Sequence, residues 1–304
     1  MSERATGVAL IAVSAASFGA MAIFARLAYD GGADITAVLF LRFLIAAPCM
    51  AMLLRVRGHT WPQGRVLCGL IAMGGIGYVG QSLSYFTALT LASASLVALL
   101  LYGYPAIVTV LSAVLLGVRL TATRMAALAL ALAGTGLIVG PELSGRPGGV
   151  ALGALAAVIY SVYILAGSRL TPQAGALPSA AVVMASAAAV YAVVVAVQRP
   201  TFPQTAGSWC AVVAIALVST VVAITTFFAG MERLGATDAS TLSTIEPVVT
   251  VVLAWAVLDE RLSAAQVVGA ALVLTAVIVL ARAGSPGGPA VVAVRPGRPD
   301  RRTA

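Results

Sequence analysis

The chain has 304 residues, of which 61% are hydrophobic and 9% charged, against about 25% charged in an ordinary soluble domain. That balance excludes a soluble enzyme core and points to a polytopic helical membrane protein. The net charge of +8 rests on 18 basic residues, all arginine, but these are scattered over connections and a C-terminal stretch. Nucleic-acid binding would need a basic patch with interleaved aromatics, and the sequence has none.

Ten apolar stretches have the length, about 20 residues, that crossing the hydrocarbon requires. They fall at residues 6–27, 34–54, 66–89, 93–117 and 122–140, then at 149–168, 179–197, 208–231, 236–258 and 263–282. The first follows Arg4 and carries small residues, as a signal peptide would. Its length, and a matching stretch later in the chain, favour a membrane span. Loops between the spans are short, which leaves no room for a soluble domain. Residues 284–304 are rich in Gly, Pro and Arg and are expected to form a disordered basic tail. Cys49, Cys68 and Cys210 lie in or beside apolar spans without metal-ligand spacing, so they read as small packing residues. His59 stands alone in a basic loop, and neither a metal site nor a cofactor is expected.

Sliding the sequence by 142 residues brings Gly7-Val8-Ala9-Leu10 onto Gly149-Val150-Ala151-Leu152 and Phe86 onto Phe228. The same offset superposes Pro105 on Pro247, Val110-Leu111 on Val252-Leu253 and Arg119-Leu120 on Arg261-Leu262. The chain therefore reads as a duplication, residues 1–142 and 143–283, of five spans each. An odd number of spans per copy requires the copies to enter the membrane in opposite orientations. With a cytoplasmic N-terminus, 13 arginines fall on the cytoplasmic side, four (Arg26, Arg146, Arg199, Arg261) on the other, and Arg42 within a span. This satisfies the positive-inside rule with both termini in the cytoplasm. Inverted repeats of this kind are typical of secondary transporters that alternate access around a midplane site.

The fourth span of each copy carries a proline in mid-span, Pro105 and Pro247, directly after Tyr104 and Glu246. A proline there frees a backbone carbonyl and bends the helix, which hydrocarbon tolerates only beside protein or a wet cavity. The two bent helices are expected to face each other across a transport path and to serve as its gates.

Polar residues in the third span, Tyr78, Gln81, Ser82 and Tyr85, follow the i, i+3, i+4, i+7 spacing of one helix face. Such a face packs on another polar face or lines a wet cavity, and the tyrosines favour a small amphipathic solute. In the ninth span, Ser240, Ser243, Glu246 and Thr250 cluster on one side. Glu246 is the only acid well inside a span, which makes it a candidate for proton coupling or for recognising a substrate amine. Arg42 lies within the second span and could pair with Glu246 or a bound carboxylate, or snorkel to the interface. Asp238 reads as the N-cap of the ninth span. Ser14, Ser17, Phe18, Tyr160, Ser161 and Tyr163 are weaker candidates for the same cavity. The fifth and tenth spans have few polar residues and many small ones, and read as helix-packing or dimer surfaces.

Ten spans in two five-helix repeats, with a Pro-containing fourth helix in each, resemble EamA-type transporters of the drug/metabolite transporter superfamily. The stretch IEPVVTVVLAWAVLDERLSAAQVVGAALVLTAVIVLAR, Ile245 to Arg282, is similar to that family's second-repeat signature, with Glu246-Pro247 opening the bend, Glu260 ending the helix and Gly269 in the last span. In the first repeat Gly117-Val118 stands where the family has Gly-Glu, so Glu260 reads as structural, beside a capping box from Ser263 and Gln266. The resemblance implies a multi-pass protein of the bacterial cytoplasmic membrane, monomeric or homodimeric, exporting metabolites, amino acids or drugs. Import or exchange on the same fold is the near alternative, and a structural or assembly role the remote one. Catalysis lacks a nucleophile with its base within the spans, and no phosphate-binding GxxxxGK[ST] loop is present for ATP-driven transport.

Overall fold

A computed structural model describes residues 2–140, 144–258 and 261–282. The expectations for residues 284–304 and for Glu260 fall outside the described residues. Within them the chain forms ten helices long and apolar enough to cross a membrane. The first five are α1 (Glu3–Asp30), α2 (Ile35–Val56), α3 (Gly64–Leu89), α4 (Leu96–Leu116) and α5 (Ala122–Val139). The second five are α6 (Pro147–Ala174), α7 (Ala176–Gln198), α8 (Ala206–Leu234), α9 (Ala236–Leu258) and α10 (Ala264–Arg282). Helices α1 and α6, 28 residues each, run about 42 Å at 1.5 Å per residue and overshoot the expected spans at both ends.

Local chemistry sets the helix ends. The side chains of Ser2, Ser93, Thr121 and Thr205 each accept the backbone N–H three residues on, satisfying one of the first-turn donors. Ser263 and Gln266 form the expected capping box, with Gln266 N–H donating to Ser263 Oγ at 3.2 Å and Ser263 N–H to Gln266 Oε1 at 2.9 Å. Gly235, at φ +80°, lets the chain leave α8 and enter α9 within one residue, a conformation that a Cβ would oppose. It also occupies the N-cap position expected for Asp238.

The helices pair across the two halves of the chain. Helix α1 packs on α8, α3 on α6, α2 on α7 and α5 on α10, a pattern that maps onto itself when the halves are exchanged. At the α5–α10 crossing a Cβ on Gly134 would lie 2.6 Å from the carbonyl oxygen of Gly269, so these two helices meet backbone to backbone. The interior mixes large apolar side chains, among them Phe43, Met50, Tyr191 and Phe228, with buried hydroxyls such as Ser14, Ser161 and Ser240. Exposed positions on the outward faces carry Ile76, Val114 and Val197, as a lipid-facing surface requires. Cys49, Cys68 and Cys210 are exposed on the exterior, which corrects their reading as small packing residues.

Neither prolyl helix is a single bent rod. The chain is helical over Ala94–Leu101, turns at Tyr102 and Gly103, and is helical again over Tyr104–Leu116. The same happens in α9, where Ala236–Leu242 and Ile245–Leu258 flank a turn at Ser243 and Thr244. Pro105 stands second and Pro247 third in the second half-helix, within the first turn, where no hydrogen bond is asked of their nitrogen, so they start a helix and do not kink one. Helices α3 and α8 are interrupted differently. Met73–Tyr78 and Leu217–Val222 open into wider π turns, and Thr220 Oγ1 donates to the Ile215 carbonyl at 2.9 Å inside the second.

At the end of the bundle where α1 begins and α10 ends, a buried ion cluster ties α1, α5, α9 and α10 together. Arg4 Nη1 lies 3.1 Å from Asp238 Oδ2, while Arg124 places Nε 2.9 Å from Oδ1 and donates from Nη2 to Oδ2 at 3.2 Å. Arg4 also donates to the Leu280 and Ala281 carbonyls, which the end of α10 leaves without helical partners. At the opposite end, Asp34 accepts from the Thr201 N–H at 2.7 Å and joins the α1–α2 and α7–α8 connections.

The Asp238 side chain is fully buried, so removing its charge strands two arginines. Asp238→Asn should lower the unfolding free energy by about 3–5 kcal/mol. Glu3→Gln, which removes only the exposed Glu3–Arg233 pair, should cost no more than about 1 kcal/mol. Unfolding in mixed micelles with increasing SDS reads both, and equal effects would show that the Asp238 cluster does not hold the bundle.

Candidate functional site

The breaks in α4 and α9 leave backbone groups that must find partners. The Tyr104 hydroxyl donates to the Ser240 carbonyl at 3.4 Å, and Ser161 on α6 donates to the Tyr104 carbonyl at 3.3 Å. Ser243 Oγ returns to the Ala239 carbonyl at 2.9 Å and Thr244 Oγ1 to the Thr241 carbonyl at 2.6 Å. The second half of α4 thereby lies against the first half of α9, and both half-helices belong to the Arg4 end.

On the other side of the breaks the helices separate around a cavity of about 510 Å³. Its wall comes from α1 (including Phe18, Met21 and Tyr29), α2 (including Arg42), α3, the first half of α4, the end of α5, the first half of α8, and the second half of α9 (including Glu246, Pro247 and Thr250). Every lining residue lies in the half of its helix nearer Asp34, or at mid-helix, so the cavity belongs to that end. Towards Arg4 an aromatic floor closes the bundle. Tyr104 and Tyr160 meet edge-on at 4.7 Å, Tyr160 stacks on Tyr163 at 6.0 Å, and Tyr163 stacks on Phe228 at 6.1 Å.

Tyr78, Gln81, Ser82 and Tyr85, which share one face of α3, all lie on the cavity wall. Among the described residues Glu246 is the single acid on that wall, and its Oε1 accepts a hydrogen bond from Tyr102 at 3.3 Å. Thr250 donates to the Gly19 and Glu246 carbonyls at 3.0 and 3.1 Å. A Cβ on Gly19 would come within 2.7 Å of the Glu246 carbonyl oxygen, so α1 must be bare at that point for α9 to approach it. Arg42 is 3% exposed and lines the cavity; it does not snorkel. Of the weaker candidates only Phe18 is on the wall, while Ser14 donates to the Ala223 carbonyl and Tyr160 and Tyr163 build the floor. Tyr104 and Pro105, which open the second half of α4, and Ser243, in the α9 break, are also off the wall.

Among the lining residues that the sequence did not single out are Tyr29, Met21 and Tyr102. Tyr102 had a signal, since it stands in the same Leu101-Tyr102-Gly103-Tyr104-Pro105 run as Tyr104. Only the three-dimensional break shows that Tyr102 turns to Glu246 while Tyr104 turns to the floor. Among the described residues no group of three His, Cys, Asp or Glu could hold a metal ion.

A crystal structure described only as that of a protein is similar in fold, with a TM-score of 0.80 at 24% identity over 90% of this chain and 96% of that one. No curated protein matches significantly. The model of the EamA-like transporter family matches twice, over residues 5–140 and 147–282. The two matches account for all ten helices, and the chain belongs to the EamA-like transporter family.

Proposed function

We propose that the protein is a secondary active transporter that moves small organic solutes across the cytoplasmic membrane by alternating access, in the direction of efflux and coupled to protons at Glu246. One observation carries the reading. A lone carboxylate stands on the wall of a cavity large enough for a small solute, at the break of a membrane helix, and takes a hydrogen bond from the matching break in the other repeat. A helix interrupted at membrane depth is tolerated only against protein or a cavity, and both interruptions adjoin this one.

The two repeats, residues 1–142 and 143–283, are inverted relative to each other in this reading, with both termini in the cytoplasm. Thirteen arginines on one side against four on the other support that orientation. The Arg4–Asp238–Arg124 cluster and the aromatic floor then form the closed cytoplasmic gate, and the cavity faces outward. Turning the site inward requires α9 to release Arg4 and Arg124 and the floor to part. Tyr78, Gln81, Ser82 and Tyr85 contact the solute, while Tyr104 and Ser243 act through the geometry of the breaks, together with Pro105 and Pro247.

Glu246→Gln should cut proton-driven flux by about tenfold or more while leaving the melting temperature near that of the wild type. The measurement is solute-evoked collapse of a pH gradient in pyranine-loaded proteoliposomes, across a panel of solutes. Full activity in the variant would remove Glu246 from coupling. Single cysteines at Gln81 and Tyr85, in a background with Cys49, Cys68 and Cys210 replaced by Ala, should react with a water-soluble maleimide and be protected by a transported solute. Lack of reaction in every condition would show that the cavity is dry. Cysteines at Gly32 and Gly58 should label from opposite faces of intact cells, Gly32 from outside, and labelling from the same face would refute the orientation.

A further inference from the structure

Arg42 stands about two turns into α2 and is held entirely by neutral groups. Its Nε donates to Thr220 Oγ1 at 3.0 Å, and Nη2 donates to the Tyr78 hydroxyl at 3.1 Å and the Ser219 carbonyl at 3.3 Å. Among the described residues Nη1 meets only the thioether of Met21, at 3.1 Å. The rings of Phe43 and Tyr78 lie 4.9 and 5.7 Å from its central carbon. Among the described residues no carboxylate forms an ion pair with Arg42, and the acid on the same wall, Glu246, is engaged by Tyr102.

Two features make this arrangement unusual. Buried charges are normally paired, because desolvation costs more than neutral dipoles return. Here dipoles fix the position of the guanidinium, the π turn of α8 supplying two of them, while its net charge stays uncompensated beside a cavity. Of its five N–H groups, four have partners, and the remaining one is on Nη1, whose other contact is a weak sulfur acceptor. The second repeat does not copy the device, since the offset of 142 residues places buried Met184 opposite Arg42.

We propose that Arg42 is an anion site and that the transported solute carries a carboxylate, which docks on Nη1 in place of the Met21 thioether. The apolar body of the solute lies against Phe18, Tyr85 and Phe86 on the same wall. This rests on reading the cavity as the transport site and adds the chemical class, small amphipathic monocarboxylates within about 510 Å³. A charge-assisted contact to a guanidinium is roughly twice as strong as a neutral hydrogen bond and is directional, so it selects anions over neutral or cationic molecules of the same shape.

The test uses the purified full chain in detergent and three probes that share a phenyl ring on a short chain: phenylacetate, 2-phenylethanol and phenethylamine. Titration calorimetry should give phenylacetate an affinity about tenfold or more above 2-phenylethanol, with phenethylamine weakest. Arg42→Gln should abolish that preference and leave the affinity for 2-phenylethanol within about threefold. Arg42→Met, which places in the first repeat what the second already has at Met184, serves the same purpose should the glutamine variant fail to fold. Equal wild-type affinities for phenylacetate and 2-phenylethanol, or a preference that survives both substitutions, would overturn the anion site. Labelling of a cysteine at Gln81 is read in parallel. Protection by 2-phenylethanol without a carboxylate preference overturns the anion site alone, whereas no binding and no protection by any probe overturns the cavity reading beneath it.

Discussion

In hydrocarbon a backbone amide has no water to fall back on, and this one constraint organises the whole molecule. Ten continuous helices would satisfy it trivially, but this chain breaks the rule of continuous hydrogen bonding in four of them, α3, α4, α8 and α9. All four interruptions lie in the middle of the bundle, where the neighbours supply what the helices give up. Tyr104 and Ser161 serve the carbonyls around the α4 and α9 breaks, and Arg42 takes up the Ser219 carbonyl in the π turn of α8. Irregular backbone is thus confined to the region where protein or cavity replaces lipid.

The price of interrupting a helix falls on stability, and what it gives is placement. A continuous α4 would carry Tyr102 and Tyr104 about 200° apart on one rod. The turn at Tyr102 and Gly103 instead assigns them to two half-helices with different tasks, one hydroxyl on Glu246 and the other ring on the aromatic floor. The two repeats supply different charges to the shared wall. Arg42 comes from the first and Glu246 from the second, where the duplicated positions hold Met184 and Tyr104. Duplication therefore provided a symmetric container, and the divergence of a few residues gave it two chemically distinct ends.

The ten helices were legible because length and apolar composition suffice to define them, and the repeat because a single offset aligns residues far apart. The polar face of α3 was legible because helical spacing alone determines which residues share a side. Other features depend on tertiary contact and left a weaker trace. The π turn in α3 sits in the glycine-rich run Met73-Gly74-Gly75-Ile76-Gly77-Tyr78, but its counterpart, Leu217 to Val222, has no glycine at all. The prolines marked where α4 and α9 are interrupted, but not that each starts a new half-helix. Asp238 had the position of a capping residue, and only the convergence of Arg4 and Arg124, 234 and 114 residues away, reveals a buried ion cluster. Cys49, Cys68 and Cys210 show the converse, because apolar surroundings in a membrane protein do not distinguish the interior from the lipid face.

The reach of Arg4 has a consequence for biogenesis. Its partners are a carboxylate on the ninth helix and two carbonyls at the end of the tenth, so the start of α1 can be fastened only after α9 and α10 have been made. Asp238, by contrast, enters as a bare acid near the end and finds two cations already in place. Closure of the ring is in this sense a late, post-insertional event, and the N-terminal turn acts as a clasp that can shut only when the final helix has been delivered.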